Sequence, residues 1–145
     1  MTGYTVGFIF NSDLTQVALV TKTHPEWQRG RVNGIGGKIE KGESSTACIA
    51  REVQEESGLS TWPDDWKLVI KMKRPAIYVD FYAYLHLGAP NEVSTKTEEA
   101  INWYSVSRLP KTVLSNLTWM IPLAIDTYKD PTISGVEIAH TEERG

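Results

Sequence analysis

Gly37-Lys-Ile-Glu-Lys-Gly-Glu43-Ser-Ser-Thr-Ala-Cys-Ile-Ala-Arg51-Glu52-Val-Gln-Glu55-Glu56-Ser-Gly58-Leu59 decides how this chain is read. Its centre predicts a helix over Ser44–Ser57. Ser44 or Ser45 can cap it, no proline interrupts it, and Gly58 can end it in a left-handed conformation. Glu52, Glu55 and Glu56 stand at i, i+3 and i+4, so they share one helical arc, while Ile49, Ala50 and Val53 occupy a neighbouring arc that can face a core. Three carboxylates on one face repel, and in the last turn the helix dipole disfavours anions. Stability alone would put Lys or Arg there. A hard divalent cation reverses the cost, because Mg²⁺ takes a few carboxylate oxygens together with waters and phosphates. A lone Glu-x-x-Glu-Glu is most often a solvated acidic face; here the flanking residues at fixed spacing argue for more.

Outward from this segment the chain reads as strands, a helix, strands and a helix. Tyr4–Phe10 and Gln16–Thr21, joined by a turn at Asn11–Asp13, suggest a hairpin. His24–Gly36 is polar and glycine-rich and reads as a loop. Trp66–Met72, Ile77–Leu87 and Ile101–Val106 have strand character, with Thr61–Asp65 a connecting loop. Val113–Tyr128 has helical apolar spacing, with Pro122 an irregularity, and Gly135–Ala139 predicts a last short strand. The expected fold class is α/β (α+β), one layered domain over residues 1–145.

The chain has 145 residues, 41% hydrophobic and 23% charged, which suits one core. Its formal net charge of −3 argues against a basic nucleic-acid-binding stripe but leaves a small phosphorylated ligand open. Apolar segments are interrupted by Asp80, Asn116 and Pro122, so no membrane span is expected, and the first residues lack a signal-peptide layout. Cys48, the single cysteine, allows no intrachain disulfide and fits a reducing, cytoplasmic setting. It reads as a small packed residue. His24, His86 and His140 have no zinc spacing and read as incidental, and no Ser-His-Asp or Cys-His arrangement appears.

The segment from Gly37 to Leu59 resembles the Nudix box, G-x5-E-x7-R-E-U-x-E-E-x-G-U with U a bulky aliphatic residue, and every fixed position matches. The resemblance implies an α/β/α sandwich with a mixed sheet and a loop-helix-loop catalytic motif. It implies Mg²⁺-dependent hydrolysis of a nucleoside diphosphate linkage, with Mn²⁺ a possible substitute. Glu52, Glu55 and Glu56 take the metal-binding positions, with Glu55 and Glu56 expected nearest the ions. Gly37 takes the position whose carbonyl can face a metal. Glu43 takes the position that orients Arg51 through a salt bridge.

The box leaves the substrate open. Gly30-Arg-Val-Asn-Gly-Ile-Gly-Gly-Lys38 resembles the loop of MutT-type members that hydrolyse oxidised purine nucleoside triphosphates, although Val32 replaces their usual Trp. Asn33 matches their base-contacting Asn, and an amide can bond a purine edge twice; equally, Asn33-Gly34 can be a plain turn. Lys38 is a candidate phosphate ligand. Glu98 or Glu99 is a candidate metal ligand, base or base-edge acceptor. Trp27 and Trp119 are candidate stacking residues, although each of the five tryptophans is more often packing. The expected reaction is (d)NTP to (d)NMP plus pyrophosphate, of the 8-oxo-dGTP type, by a monomer or homodimer. Pro75, near the position of a proline in relatives that hydrolyse ADP-ribose, keeps an ADP-ribose or nucleotide-sugar pyrophosphatase open. A non-catalytic nucleotide sensor on the same fold is the alternative of a different class, and retention of all three carboxylates speaks against it.

Overall fold

The two faces of the sheet are set by alternation along the first strand, β1 (Thr2–Phe10). Phe8 and Phe10 enter one apolar cluster and Ile9 the other; all three are fully buried. The computed structural model describes residues 1–133 and 136–139. After β1 come β2 (Gln16–Thr21), β3 (Val32–Asn33), β4 (Ile35–Lys38), α1 (Ser45–Ser57), β5 (Lys67–Lys73), β6 (Ile77–Leu85), β7 (Ile101–Ser105), α2 (Leu117–Lys129) and β8 (Val136–Ala139). On one face Phe8, Phe10, Leu19 and Phe81 pack with Leu117, Met120 and Ile121 of α2. On the other, Ile9, Val20, Ile35 and Tyr82 pack with Ile49 and Val53 of α1. The expected α/β/α sandwich is the fold.

The eight described strands form one mixed sheet in the order β3-β2-β1-β6-β5-β8, with β4 added to β1 and β7 to β2. β6 runs parallel to β1, and β8 parallel to β5. The β1–β2 hairpin closes only at Ile9–Ala18 and Phe10–Val17. Beyond that the two strands splay, and residues 32–38 fill the gap. β3 pairs with Val20 and Thr21 of β2, while β4 pairs with Tyr4–Gly7 of β1. A strand kinked at Gly34 thus spans both halves of the sheet.

Three element expectations change. Residues 32–38 are strand, although Val32–Gly36 reads as loop; pairing with two splayed partners, invisible to local pattern, overrides their glycine content. α2 starts at Leu117 rather than Val113, because Val113 bridges to Val32 and the Leu114 N–H bonds the Val32 carbonyl at 3.0 Å. β6 ends at Leu85, where the His86 N–H turns to the Phe10 carbonyl. Pro122 lies inside α2 on its exposed side, where a missing N–H is least costly. The last strand forms at Val136–Ala139; Gly135 and His140 lie outside the described residues. No helix of the described residues is long and apolar enough to cross a membrane.

Candidate active site

Helix α1 is held at both ends by its own sequence. Ser44 accepts a hydrogen bond from the Ala47 N–H at 3.1 Å, and Gly58 closes the helix at φ +77°, a conformation that strains any residue with a Cβ. Cys48, Ile49 and Val53 are buried under it. This rotation turns Glu52 and Glu56 toward β4. A Cβ at Gly37 would lie 2.5 Å from Glu52 Oε1, so a side chain there would displace the Glu52 carboxylate. The Gly37 carbonyl also faces the helix, 3.9 Å from Cys48 Sγ.

Arg51 organises the acidic residues. Its Nε and Nη2 donate to Glu43 at 2.7 and 3.0 Å, a bidentate pair. Its Nη1 reaches Glu52 at 3.0 Å and Glu55 at 3.3 Å, and Nη2 also donates to the Lys38 carbonyl at 3.3 Å. The Arg51 hydrogen bonds hold the Glu43 carboxyl down to about 2, and Glu43 in turn keeps Arg51 firmly protonated. The pairing expected between Glu43 and Arg51 is therefore present. The expectation that this pairing keeps Arg51 off the metal-binding carboxylates is corrected: with Nε and Nη2 on Glu43, Nη1 is left to contact both Glu52 and Glu55.

Glu56 differs from its neighbours. It is 9% exposed, and its Oε2 has no hydrogen-bond partner. Burial first, then the adjacent Glu52, pushes its carboxyl up to about 8. An orphaned buried carboxylate oxygen is costly unless a cation or proton meets it. Hard oxygen donors from Glu52, Glu56 and the Gly37 carbonyl, with half-exposed Glu55 beside them, fit a divalent cation. Among the described residues no three acidic, His or Cys side chains are already gathered as a cation site, since Glu52 and Glu55 lean on Arg51.

Glu52 and Glu56 line a cleft of about 1020 Å³ between the splayed halves of the sheet. Gly37, Lys38, Trp27, Gln28 and Asn33 also line it. Trp27 is 71% exposed in a short 3-10 turn, Glu26–Gln28. Asn33 Nδ2 donates to Gln28 Oε1 at 3.2 Å, and its Oδ1 accepts from the Gly34 N–H at 2.8 Å. Glu98 is exposed on the rim of the cleft. Glu99 is buried and committed: it accepts from Lys22 Nζ at 3.0 Å and from the Thr23 N–H at 2.6 Å. Burial raises its carboxyl, but the Thr23 and Lys22 hydrogen bonds outweigh that and leave it lowered. Trp119, on α2, is half-exposed and is not part of the cleft wall.

Sequence reasoning did not single out Lys22, Gln28, Arg74 or Asn116, and it set His24 aside; all five line the cleft. Lys22 and His24 carried one usable signal, polar residues directly after a buried strand. Arg74 sits in the turn before Pro75, where nothing local marks it. Arg31 also reaches the wall, but it donates to the Thr112 and Val113 carbonyls and ties α2's approach to β3.

The sequence profile described as NUDIX domain matches residues 1–121. The chain belongs to the Nudix family. Solved structures share the fold of this Nudix hydrolase at low identity. A MutT structure described for Aliivibrio salmonicida and Vibrio cholerae has a TM-score of 0.64 and 19% identity, covering 86% of this chain and 96% of that one. An ADP-ribose pyrophosphatase of Streptococcus suis has a TM-score of 0.70 and 21% identity, covering 94% and 98%. A MutT protein of Methanosarcina mazei has a TM-score of 0.66 and 19% identity, covering 89% and 96%. Membership brings a pyrophosphatase-type activity, and the family generally uses divalent metal ions.

Proposed function

We propose that this Nudix hydrolase converts a (d)NTP to (d)NMP and pyrophosphate with Mg²⁺, or Mn²⁺ in its place, and favours oxidised purines of the 8-oxo-dGTP type. The observation that carries the reading is a single cleft lined by two unlike sets of groups. One set is Glu56, with its orphaned oxygen, and Glu52; the other is the Asn33–Gln28 amide pair and the exposed Trp27 indole. A bound divalent cation supplies polarisation of the phosphoryl oxygens and neutralises the charge that builds on them. Glu52, Glu55, Glu56 and the Gly37 carbonyl hold it. Lys38 meets a phosphate. Asn33 gives up Gln28 to bond a purine edge with its donor and acceptor together, and Trp27 stacks on the ring. Water adds to phosphorus, the bridging P–O bond breaks, and a cleft carboxylate, Glu56 or Glu98, takes the proton. The enzyme works on the small-nucleotide pool of the cytoplasm as a monomer or homodimer.

A substrate panel tests this, scored for pyrophosphate against sugar phosphate. Release of pyrophosphate from dNTPs, fastest with an oxidised purine, is expected. Intact dNTPs beside cleaved ADP-ribose would remove it in favour of the second reading, an ADP-ribose or nucleotide-sugar pyrophosphatase. Arg74 favours that reading: it lines the cleft next to Pro75 and offers a cation for a second phosphate or sugar.

A further inference from the structure

Four strands place one residue each in a single row across the sheet. Gly37 of β4 pairs with Thr5 of β1, Thr5 with Asp80 of β6, and Asp80 with Lys71 of β5. The row carries polar side chains at Thr5, Asp80 and Lys71, and it is buried in its middle: Thr5 is 1% exposed and Asp80 3%. Its side chains bond upward to α1. Ser45, the first residue of α1, donates to Asp80 Oδ2 at 2.6 Å, and Tyr82 donates to Ser45 at 2.8 Å. Lys71 Nζ donates to Asp80 Oδ1 at 2.9 Å, so both carboxylate oxygens are engaged. One turn along the helix, Thr5 Oγ1 and Cys48 Sγ share a hydrogen bond at 3.3 Å.

A helix resting on a sheet through apolar contacts alone can slide and roll by small amounts at little cost. Directional bonds remove that freedom. Here the bonds spring from the same row that contains Gly37, and Glu52, two turns beyond Ser45, is in contact range of that glycine. The height and roll of α1 are thus referred to the backbone position that faces the candidate cation. We propose that Asp80 is a positioning residue, which through Ser45 sets the placement of Glu52 and Glu56 over Gly37 for a divalent cation. The inference rests on the reading of those carboxylates as cation ligands. It adds Asp80 to Glu43 as a carboxylate that touches neither cation nor substrate.

The test uses the full chain and Mn²⁺ alone, followed by its EPR signal, with Tm measured on each variant. Ser45→Ala and Asp80→Asn are each expected to weaken Mn²⁺ binding about tenfold. Ser45→Thr, which keeps the hydroxyl, restores it. Ile121→Val in the opposite core supplies a matched loss of Tm with Mn²⁺ binding unchanged. The double variant Ser45→Ala/Asp80→Asn is expected to be no weaker than the worse single one, as for two members of one linkage. Hydrolysis by the same proteins should show a fall in kcat with KM for the nucleotide held. Wild-type Mn²⁺ affinity in both single variants, with Tm lowered, would overturn the proposal and leave Asp80 a fold-stabilising residue. A wild-type chain that binds no Mn²⁺ would overturn it as well. A chain that binds Mn²⁺ in this pattern but cleaves no nucleotide would sink the proposed substrate alone.

Discussion

Arg51 grips Glu43 with two nitrogens, at 2.7 and 3.0 Å, and lends its third to Glu52 at 3.0 Å. Glu43 therefore decides how much of the guanidinium is left to lean on the box carboxylates. Glu43→Gln is expected to lower kcat about tenfold, roughly 1.4 kcal/mol, and less than any change at Glu56. A variant as slow as Glu56→Gln would show that Glu43 touches the reaction directly.

The same pair predicts an acid limit to stability. The folded Glu43 carboxyl is depressed from 4.5 to about 2. Its contribution is complete above pH 4.5 and fades as pH falls from 4.5 toward 2. Urea melts of wild type and Glu43→Gln should differ by about 1–2 kcal/mol near pH 6 and converge near pH 2. A gap that persists at pH 2 would remove ionic pairing as its cause.

Glu56 carries the opposite sign. Its folded carboxyl is raised from 4.5 to about 8, so between those values the folded chain keeps a proton that the unfolded chain has released. Without metal, stability falls as pH rises through that window. Glu56→Gln should flatten the fall and make the metal-free protein more stable at pH 8 than wild type, while cutting kcat at least a hundredfold. Parallel pH curves of the two proteins in EDTA would contradict the assignment.

Glu98 and Glu99 separate by burial. Glu99→Gln should destabilise by about 2–3 kcal/mol, because Lys22 Nζ loses its charged acceptor and the Thr23 N–H its strong one. Glu98→Gln should leave Tm within about a degree, roughly the scatter of exposed sites, and act on turnover if at all. Thermal melts beside initial rates decide this, and the reverse pattern would exchange the two roles.

Trp27→Ala should raise KM roughly tenfold with kcat held, as loss of a stacked base costs about 1–3 kcal/mol. Trp119→Ala should leave KM alone, since Trp119 is outside the cleft wall. Steady-state kinetics on the two variants, on whichever nucleotide the panel identifies, settles which indole meets the base.

Much of this was legible in the chain. Ser44, Gly58 and the i, i+3, i+4 carboxylates define α1 locally, and the observed bounds differ from the reading by one residue. The strand runs were visible for the same reason, since alternation along Phe8, Ile9 and Phe10 is a local property. What was not legible depends on partners far away in sequence. Val32–Asn33 is strand only because β2 leaves β1, and Val113 leaves the helix only because Val32 is there to pair with. Glu98 and Glu99 are adjacent in sequence and opposite in burial, which nothing short of the fold distinguishes. Asp80 looked like an interruption in an apolar run; its row with Gly37 exists only across strands.

The strand kinked at Gly34 has a geometric consequence. Asn33 and Gly37 are four residues apart on one short ribbon, at most about 13 Å. Neither can drift relative to the other, because each is pinned to a different partner strand. On the proposed reading the ribbon works as a caliper: one jaw holds the base, the other marks the bond to be cut, and the span selects the phosphorus. The turn that carries Trp27 is attached outside the caliper. Changing it would alter which molecule is gripped and leave the place of the cut where it is.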